Sequence, residues 1–157
     1  MNERHKRVSD NTKPDPDTLP PNIQAILRKR SPASAYLGLE FIACDPQAGT
    51  VTVAYEASDN LCNLWGGIHG GMVSAMMDDV LSLALGLTID WGQITPTLEL
   101  KTSFIQAARP GRLMAHARVI RRGRSISFAE ATLTDAEGTL LATASTTASV
   151  VTLKRKK

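Results

Sequence analysis

The sequence predicts an α+β domain in which a curved antiparallel sheet wraps one long central helix. Three observations carry this prediction. Residues 69–87 are apolar around nearly the whole circumference of a helix, with Met72, Val73, Met76, Met77, Val80, Leu81, Leu83, Leu85 and Leu87 leaving little polar face, and a helix of that kind is enclosed on most sides. After Trp91-Gly92 come β-rich segments at residues 97–106, 112–121, 125–134 and 140–152. Their connections, Ala108-Arg109-Pro110-Gly111, Arg122-Gly123-Arg124 and Asp135-Ala136-Glu137-Gly138, are short and glycine-bearing, as a meander of antiparallel strands requires. Before the helix, β-rich runs at 38–44 and 50–57 flank Asp45-Pro46-Gln47-Ala48-Gly49, which has the composition of a hairpin turn. Strands, then one enclosed helix, then a meander define an α+β layer arrangement.

In chain order, residues 1–20 are polar, charged and proline-bearing. They are expected to form a flexible leader, with no apolar stretch that could serve as a signal peptide. Pro20-Pro21 opens a short helix over residues 22–30 with Ile23, Ile26 and Leu27 on one face, and Ser31-Pro32 is expected to end it. The 157 residues, 43% of them hydrophobic, suit one domain, placed at residues 21–153. The helix at 69–87 is long enough, a little under about 30 Å, to cross that domain at its centre. A basic tail follows at 154–157.

Composition excludes several classes of function. Aromatics make up 4% of the chain, too few for stacking on nucleic-acid bases. The net charge of +3 comes largely from Arg4, His5, Lys6 and Arg7 at one end and Lys154, Arg155, Lys156 and Lys157 at the other, read as solvated tails and not as a nucleic-acid or membrane patch. Cys44 and Cys62 are the only cysteines and no Cys-x-x-Cys spacing occurs; this supports neither a disulfide framework nor a zinc site, and fits a reduced cytoplasm. The apolar run 72–89 carries Asp78 and Asp79 near its middle, and carboxylates there are costly in a bilayer. No membrane partner is expected.

Asp78 is the chemically informative residue, because it sets a carboxylate inside an otherwise greasy helix. A buried carboxylate raises its own pKa unless hydrogen bonds satisfy it, and such groups serve acid–base or nucleophilic chemistry. Ser74 and Ser82 lie at i−4 and i+4, so two readings are open: an Asp held by those serines or by a partner subunit, or a functional acid. Asp79 points about 100° away around the helix and reads as a structural or interface residue. Gly70 and Gly71 stand where loop becomes helix. Backbone N–H groups there lack intrahelical partners and favour negative charge, although glycine also suits a tight turn or close packing.

Asn63-x5-His69-Gly70-Gly71-x6-Asp78, Leu98-Glu99-Leu100-x2-Ser103-Phe104, Arg109-Pro110-Gly111, Arg122-Gly123-Arg124-Ser125 and Asp135-x2-Gly138 follow in one order. The set resembles the hot-dog-fold acyl-CoA thioesterases, most of all their phenylacetate-pathway branch, over about residues 35–150. The resemblance implies a catalytic role for Asp78, as general base toward water or as nucleophile on the thioester carbonyl. It implies that the Gly70 N–H polarises that carbonyl, with Gly71 allowing close approach. Asn63 then orients water or substrate, while the alternative is a plain turn former. His69 orders the loop and lines the site without being the principal base. Thr97, with Thr95 as competitor, sits near the active site of the neighbouring subunit, and Glu99 reads as a strand residue. Arg122, Gly123, Arg124 and Ser125 are candidates for the phosphates of coenzyme A, which guanidinium forks suit, although an exposed hairpin also carries such charges. Met72, with Met76 and Met77, and Trp65 are candidates for the acyl pocket, core packing being the alternative for the methionines.

By the same resemblance the protein is a homodimer, further paired as a dimer of dimers. It hydrolyses an acyl- or aryl-CoA to acid and coenzyme A without metal or redox cofactor. A non-catalytic acyl-CoA-binding hot-dog protein is the rival, but it has no need for Asn63, Gly70 and Asp78 together. A hot-dog dehydratase or hydratase would need a His-Phe-Pro-Gly or Asp-x-Asn-x-x-His pattern, and neither occurs.

Overall fold

The computed structural model describes residues 19–29 and 31–153. The tail expected at 154–157 and the leader as far as residue 18 lie outside the described residues; Leu19, at the end of that leader segment, is buried in the core. Helix α1 (Pro21–Lys29) turns Ile23 fully inward. Ser31-Pro32 does not simply end it. Pro32 is the first residue of a second short helix, α2 (Pro32–Tyr36), whose N-cap Ser31 accepts from the Ser34 N–H. Proline is favoured at that position because its missing N–H has no helical partner to lose.

Strands β1 (Leu39–Asp45) and β2 (Thr50–Ala57) form the first hairpin, with Asp45 Oδ1 accepting from the Gln47 and Ala48 N–H groups in its turn. Helix α3 (Gly70–Gly86) follows. Then come β3 (Gln93–Ile94), β4 (Thr97–Phe104), β5 (Gly111–Arg122), β6 (Ile126–Thr134), β7 (Leu140–Ser149) and β8 (Val151–Thr152). Six strands make one antiparallel sheet in the order β1-β2-β5-β6-β7-β4, and β3 pairs with β8 apart from it. The expected single strand at 140–152 is thus broken at Val150, whose N–H donates to Ser125 O.

Residues of β5, β6 and β7 alternate buried and exposed, so one face of the sheet receives α3 and the other faces water. Met76, Met77, Val80, Leu81 and Leu85 of α3 are completely enclosed with Val51, Val53, Ala115 and Leu133 of the sheet. The buried Tyr55 hydroxyl donates to Met76 O at 2.7 Å, which fastens the helix to β2. This is the hot-dog fold. No helix among the described residues is long and apolar enough to cross a membrane.

The two sheet edges differ. Helix α2 packs against β1, whereas β4 has β7 on one side only and is largely exposed along its length. Its register with β7 slips between Thr97 and Glu99, leaving Leu98 as an extra residue that is 60% exposed. Strict alternation from Leu100, which packs on the core, through Leu98 would aim Thr97 at the outer face. The bulge reverses that parity and turns Thr97 toward α3.

Candidate active site

Helix α3 begins at a cap built from its own neighbour. His69 is the N-cap, and its Nδ1 accepts from the Gly71 N–H at 3.0 Å. An acceptor at Nδ1 places the ring proton on Nε2. A β-carbon on Gly71 would come within 3.2 Å of that same Nδ1, so glycine is what lets the imidazole fold back over the helix end. The Gly71 N–H is therefore already used. That of Gly70 is not: among the described residues it meets no acceptor. A β-carbon on Gly70 would stand 3.3 Å from the Phe104 ring, so the aromatic end of β4 closes one side of this N–H.

Asn63 lies in the preceding loop. Its Oδ1 accepts from the Trp65 N–H at 2.9 Å, its backbone N–H donates to Gly67 O and its carbonyl accepts from the Gly66 N–H. Asn63 is a turn former, and the turn in turn fixes its amide. With Oδ1 occupied, Nδ2 is the group without a partner among the described residues. Asn63 and Gly70 share a cleft of about 360 Å³ with Ile68, Val73, Phe104 and Ala108. Sequence reasoning had not set Phe104 or the 105–108 segment beside Gly70. The available signal was the parity of Phe104 with Leu100 along β4.

Thr97, and not Thr95, is the threonine that meets the acid. Its Oγ1 donates to Asp78 Oδ1 at 2.8 Å, within a single chain. Ser74 and Ser82 make no hydrogen bond to Asp78 among the described residues. Asp78 is half-buried, which leaves Oδ2 available to a water or a substrate. The sealed carboxylate expected at Asp78 is instead its neighbour. Asp79 Oδ1 accepts from Ser34 Oγ at 2.9 Å, while Asp79 Oδ2 is closed off from solvent without a donor. Burial pushes the Asp79 carboxyl above its usual range, the Ser34 hydrogen bond lowers it in part, and the charge of Asp78 raises it further.

Trp65 stands out from the loop at 86% exposure and takes no part in the Asn63 cleft of its own chain. Met72 is half-buried against the core. At the β5–β6 turn Arg122 Nη2 is 3.2 Å from Asp90 Oδ2, while Arg124 and Ser125 are exposed. Gly123 is fixed by packing, since a β-carbon there would lie 2.2 Å from Ile126 O. The turn thus presents the Arg124 guanidinium without an ion pair among the described residues.

Residues 66–142, from the Asn63 loop through α3 to β7, match the model of the thioesterase superfamily. An esterase-named protein of Pseudomonas aeruginosa is 34% identical over 120 residues, covering 76% of this chain and 88% of its own. This chain belongs to the thioesterase superfamily. Among solved structures, a thioesterase-named, phenylacetic acid degradation-related protein of Ralstonia eutropha JMP134 is 34% identical. Its TM-score is 0.76, and the match covers 82% of this chain and 98% of that one. A second esterase-named relative, from Saccharolobus solfataricus, is 26% identical over 75% of this chain and 82% of its own. The thioesterase is accordingly a thioester hydrolase, and its two polar stations, Asn63 with Gly70 and Asp78 with Thr97, stand at opposite ends of β4.

Proposed function

We propose that this thioesterase hydrolyses acyl- or aryl-coenzyme A thioesters to the free acid and coenzyme A, at a site completed by two copies of the chain. The observation that carries the reading is the unpaired Gly70 N–H in the Asn63 cleft. A backbone donor at a helix N-terminus, held open beside a free amide, is suited to the oxygen of a polarised thioester carbonyl and to the oxyanion that develops there. Asp78 supplies the attack, either as general base toward a water or as nucleophile, with Oδ1 steadied by Thr97.

One chain cannot bring these groups to one carbonyl. Asp78 follows Gly70 by eight residues, about 12 Å along the helix axis. The Gly70 N–H points beyond the helix start, so its acceptor lies farther still from Asp78. Reacting atoms must approach to about 3–3.5 Å. A second copy resolves the mismatch. Thr97 and Phe104 are the two ends of β4, the exposed edge strand. Antiparallel pairing of β4 with its twin about a twofold axis near Leu100 and Lys101 would set Thr97 against the twin's Phe104. Asp78 then faces the twin's Gly70. Exposed Leu98 and Phe104 supply apolar surface along that edge, and pairing would satisfy its open backbone groups. The Arg122–Ser125 turn is assigned to the phosphates of coenzyme A, with Arg124 as the unengaged cation.

The test is thiol release from short, medium, long and aryl acyl-CoAs by the wild type, Asp78→Asn and Asp79→Asn. Turnover is expected to vanish in the Asp78 variant and persist in the Asp79 variant. A wild type that binds the panel without turnover would establish an acyl-CoA-binding protein instead. In a single turnover in solvent ¹⁸O, a general base puts the label into the acid, whereas unlabelled acid with the label left on the Asp78 carboxylate marks a nucleophile whose anhydride opens at the Asp78 carbonyl.

A further inference from the structure

We propose that the groove between α1, the C-terminal half of α3 and residues 91–96 is the acyl-chain pocket of this thioesterase, with Ala25 and Trp91 as its length-setting walls. The proposal rests on the reading of Asp78 as the acid that attacks the thioester. The groove measures about 1110 Å³, ample for a ligand, since small-molecule sites usually span about 300–1,000 Å³.

Its position ties it to the chemistry. Ser82, on the groove floor, is four residues after Asp78 and so about 6 Å farther along the same side of α3. Gly86 continues that floor by one more turn, where Ile23 and Ile26 of α1 close over it, 3.5 and 3.6 Å from where a β-carbon would stand. Pro96, on the opposite lip, is bonded to Thr97, the donor to Asp78. A thioester whose carbonyl stands at Asp78 therefore finds the groove mouth beside it, and about 12 Å of helix to run along.

The chemistry of the walls selects the occupant. Ile26 of α1 and Trp91, Ile94 and Leu153 opposite it are all large apolar side chains left open to water, Trp91 to the extent of 67%. Among the described residues, Lys29 is the charged group on the lining. An unbranched alkyl chain matches such a surface, and a polar acyl group does not. The walls are also held apart at a fixed width. Asn22 Nδ2 donates to Ile89 O at 2.8 Å, joining α1 to the segment after α3, and the Leu153 N–H donates to Gly92 O at 2.9 Å behind Trp91.

Each methylene taken into apolar surface contributes about 0.8 kcal/mol, roughly a fourfold gain in affinity or kcat/KM. Non-hydrolysable S-alkyl-coenzyme A thioethers from ethyl to dodecyl give the binding readout, and the matching acyl-CoAs give turnover. Wild-type Kd should fall about fourfold per methylene until the groove is full. Ala25→Trp, on an exposed position of α1, fills the groove and should flatten the series, cutting the dodecyl-to-ethyl affinity ratio at least tenfold. Trp91→Ala should reduce the gain per methylene. Unchanged length profiles in both variants would overturn the assignment, whatever the turnover. A wild-type Kd independent of alkyl length, with Trp91 fluorescence following protein concentration, would hand the groove to a second copy and overturn it too. Absence of turnover with the binding profile as expected would sink the hydrolase reading and leave the pocket standing.

Discussion

Thr97 Oγ1 donates to Asp78 Oδ1 across 2.8 Å, joining the edge strand to the central helix. The bond exists because Leu98 is the extra residue of a bulge that turns Thr97 inward. A hydrogen bond to a charged group contributes about 1.5–3 kcal/mol. Thr97→Val should therefore lower kcat/KM about ten- to a hundredfold with the circular dichroism spectrum unchanged. Deleting Leu98 removes the bulge yet leaves Thr97 opposite Ala148 and facing inward by plain alternation, so that variant should keep the bond and most of the activity. Full activity in Thr97→Val would remove Thr97 from the mechanism.

The same pair of elements shows what a sequence can and cannot convey. Helix α3 was legible because its apolar residues leave no polar face for water, whatever packs around it. The parity of Thr97 was not, since a bulge is a property of two strands in register and Leu98 carries no local mark of one. Likewise Asp78 and Asp79 are adjacent carboxylates on one helix, and what sorts them is Ser34 on α2. That helix was hidden because Ser31-Pro32 reads equally as a stop and as a cap followed by a first helical residue. Asn63, Gly70 and His69 stood out through the family resemblance of their motif, but their division of labour, with one N–H capped and the next left open, depends on where an imidazole folds.

His69 caps α3 and is not expected to serve as the base. Losing an N-cap side chain costs about 1 kcal/mol, and asparagine is among the best replacements. His69→Ala should lower stability by about that amount in chemical denaturation, and His69→Asn should recover most of it. A lost general base costs about 10²-fold or more in rate, so a fall of that size in the well-folded Asn variant would restore His69 to a catalytic part.

Asp79 makes stability depend on pH. Its carboxyl is raised above the usual aspartate range by burial first, with Asp78 adding to it and Ser34 opposing it. The folded state thus holds the proton more tightly than the unfolded state. This favours the fold at acid pH and is lost as pH rises from the ordinary Asp range through the raised value. Asp79→Asn keeps an acceptor for Ser34 and removes the buried charge, so its melting temperature relative to wild type should improve from pH 4 to pH 7. An offset between the two proteins that stays constant over that interval would show that the Asp79 charge is not destabilising the fold.

Separation of the two polar stations by about 12 Å on one helix makes a prediction that activity alone can read. If Asn63 and Gly70 of one copy serve Asp78 of the other, then Asn63→Ala and Asp78→Asn damage opposite halves of each site. Homodimers of either variant carry two defective sites. A mixed dimer carries one site with both defects and one with neither. Unfolding and refolding the variants together at equal amounts should form about half mixed dimers by random pairing, and so recover about a quarter of wild-type turnover. Turnover that stays at the level of the separate variants, in a mixture shown by mass spectrometry to contain the mixed dimer, would place both stations in one chain. The β4 edge is tested by the same assay. A charge introduced at exposed Leu98 should oppose pairing, and dissociation seen by sedimentation should cost turnover in proportion to the monomer formed. Retained activity in the monomer would refute the composite site.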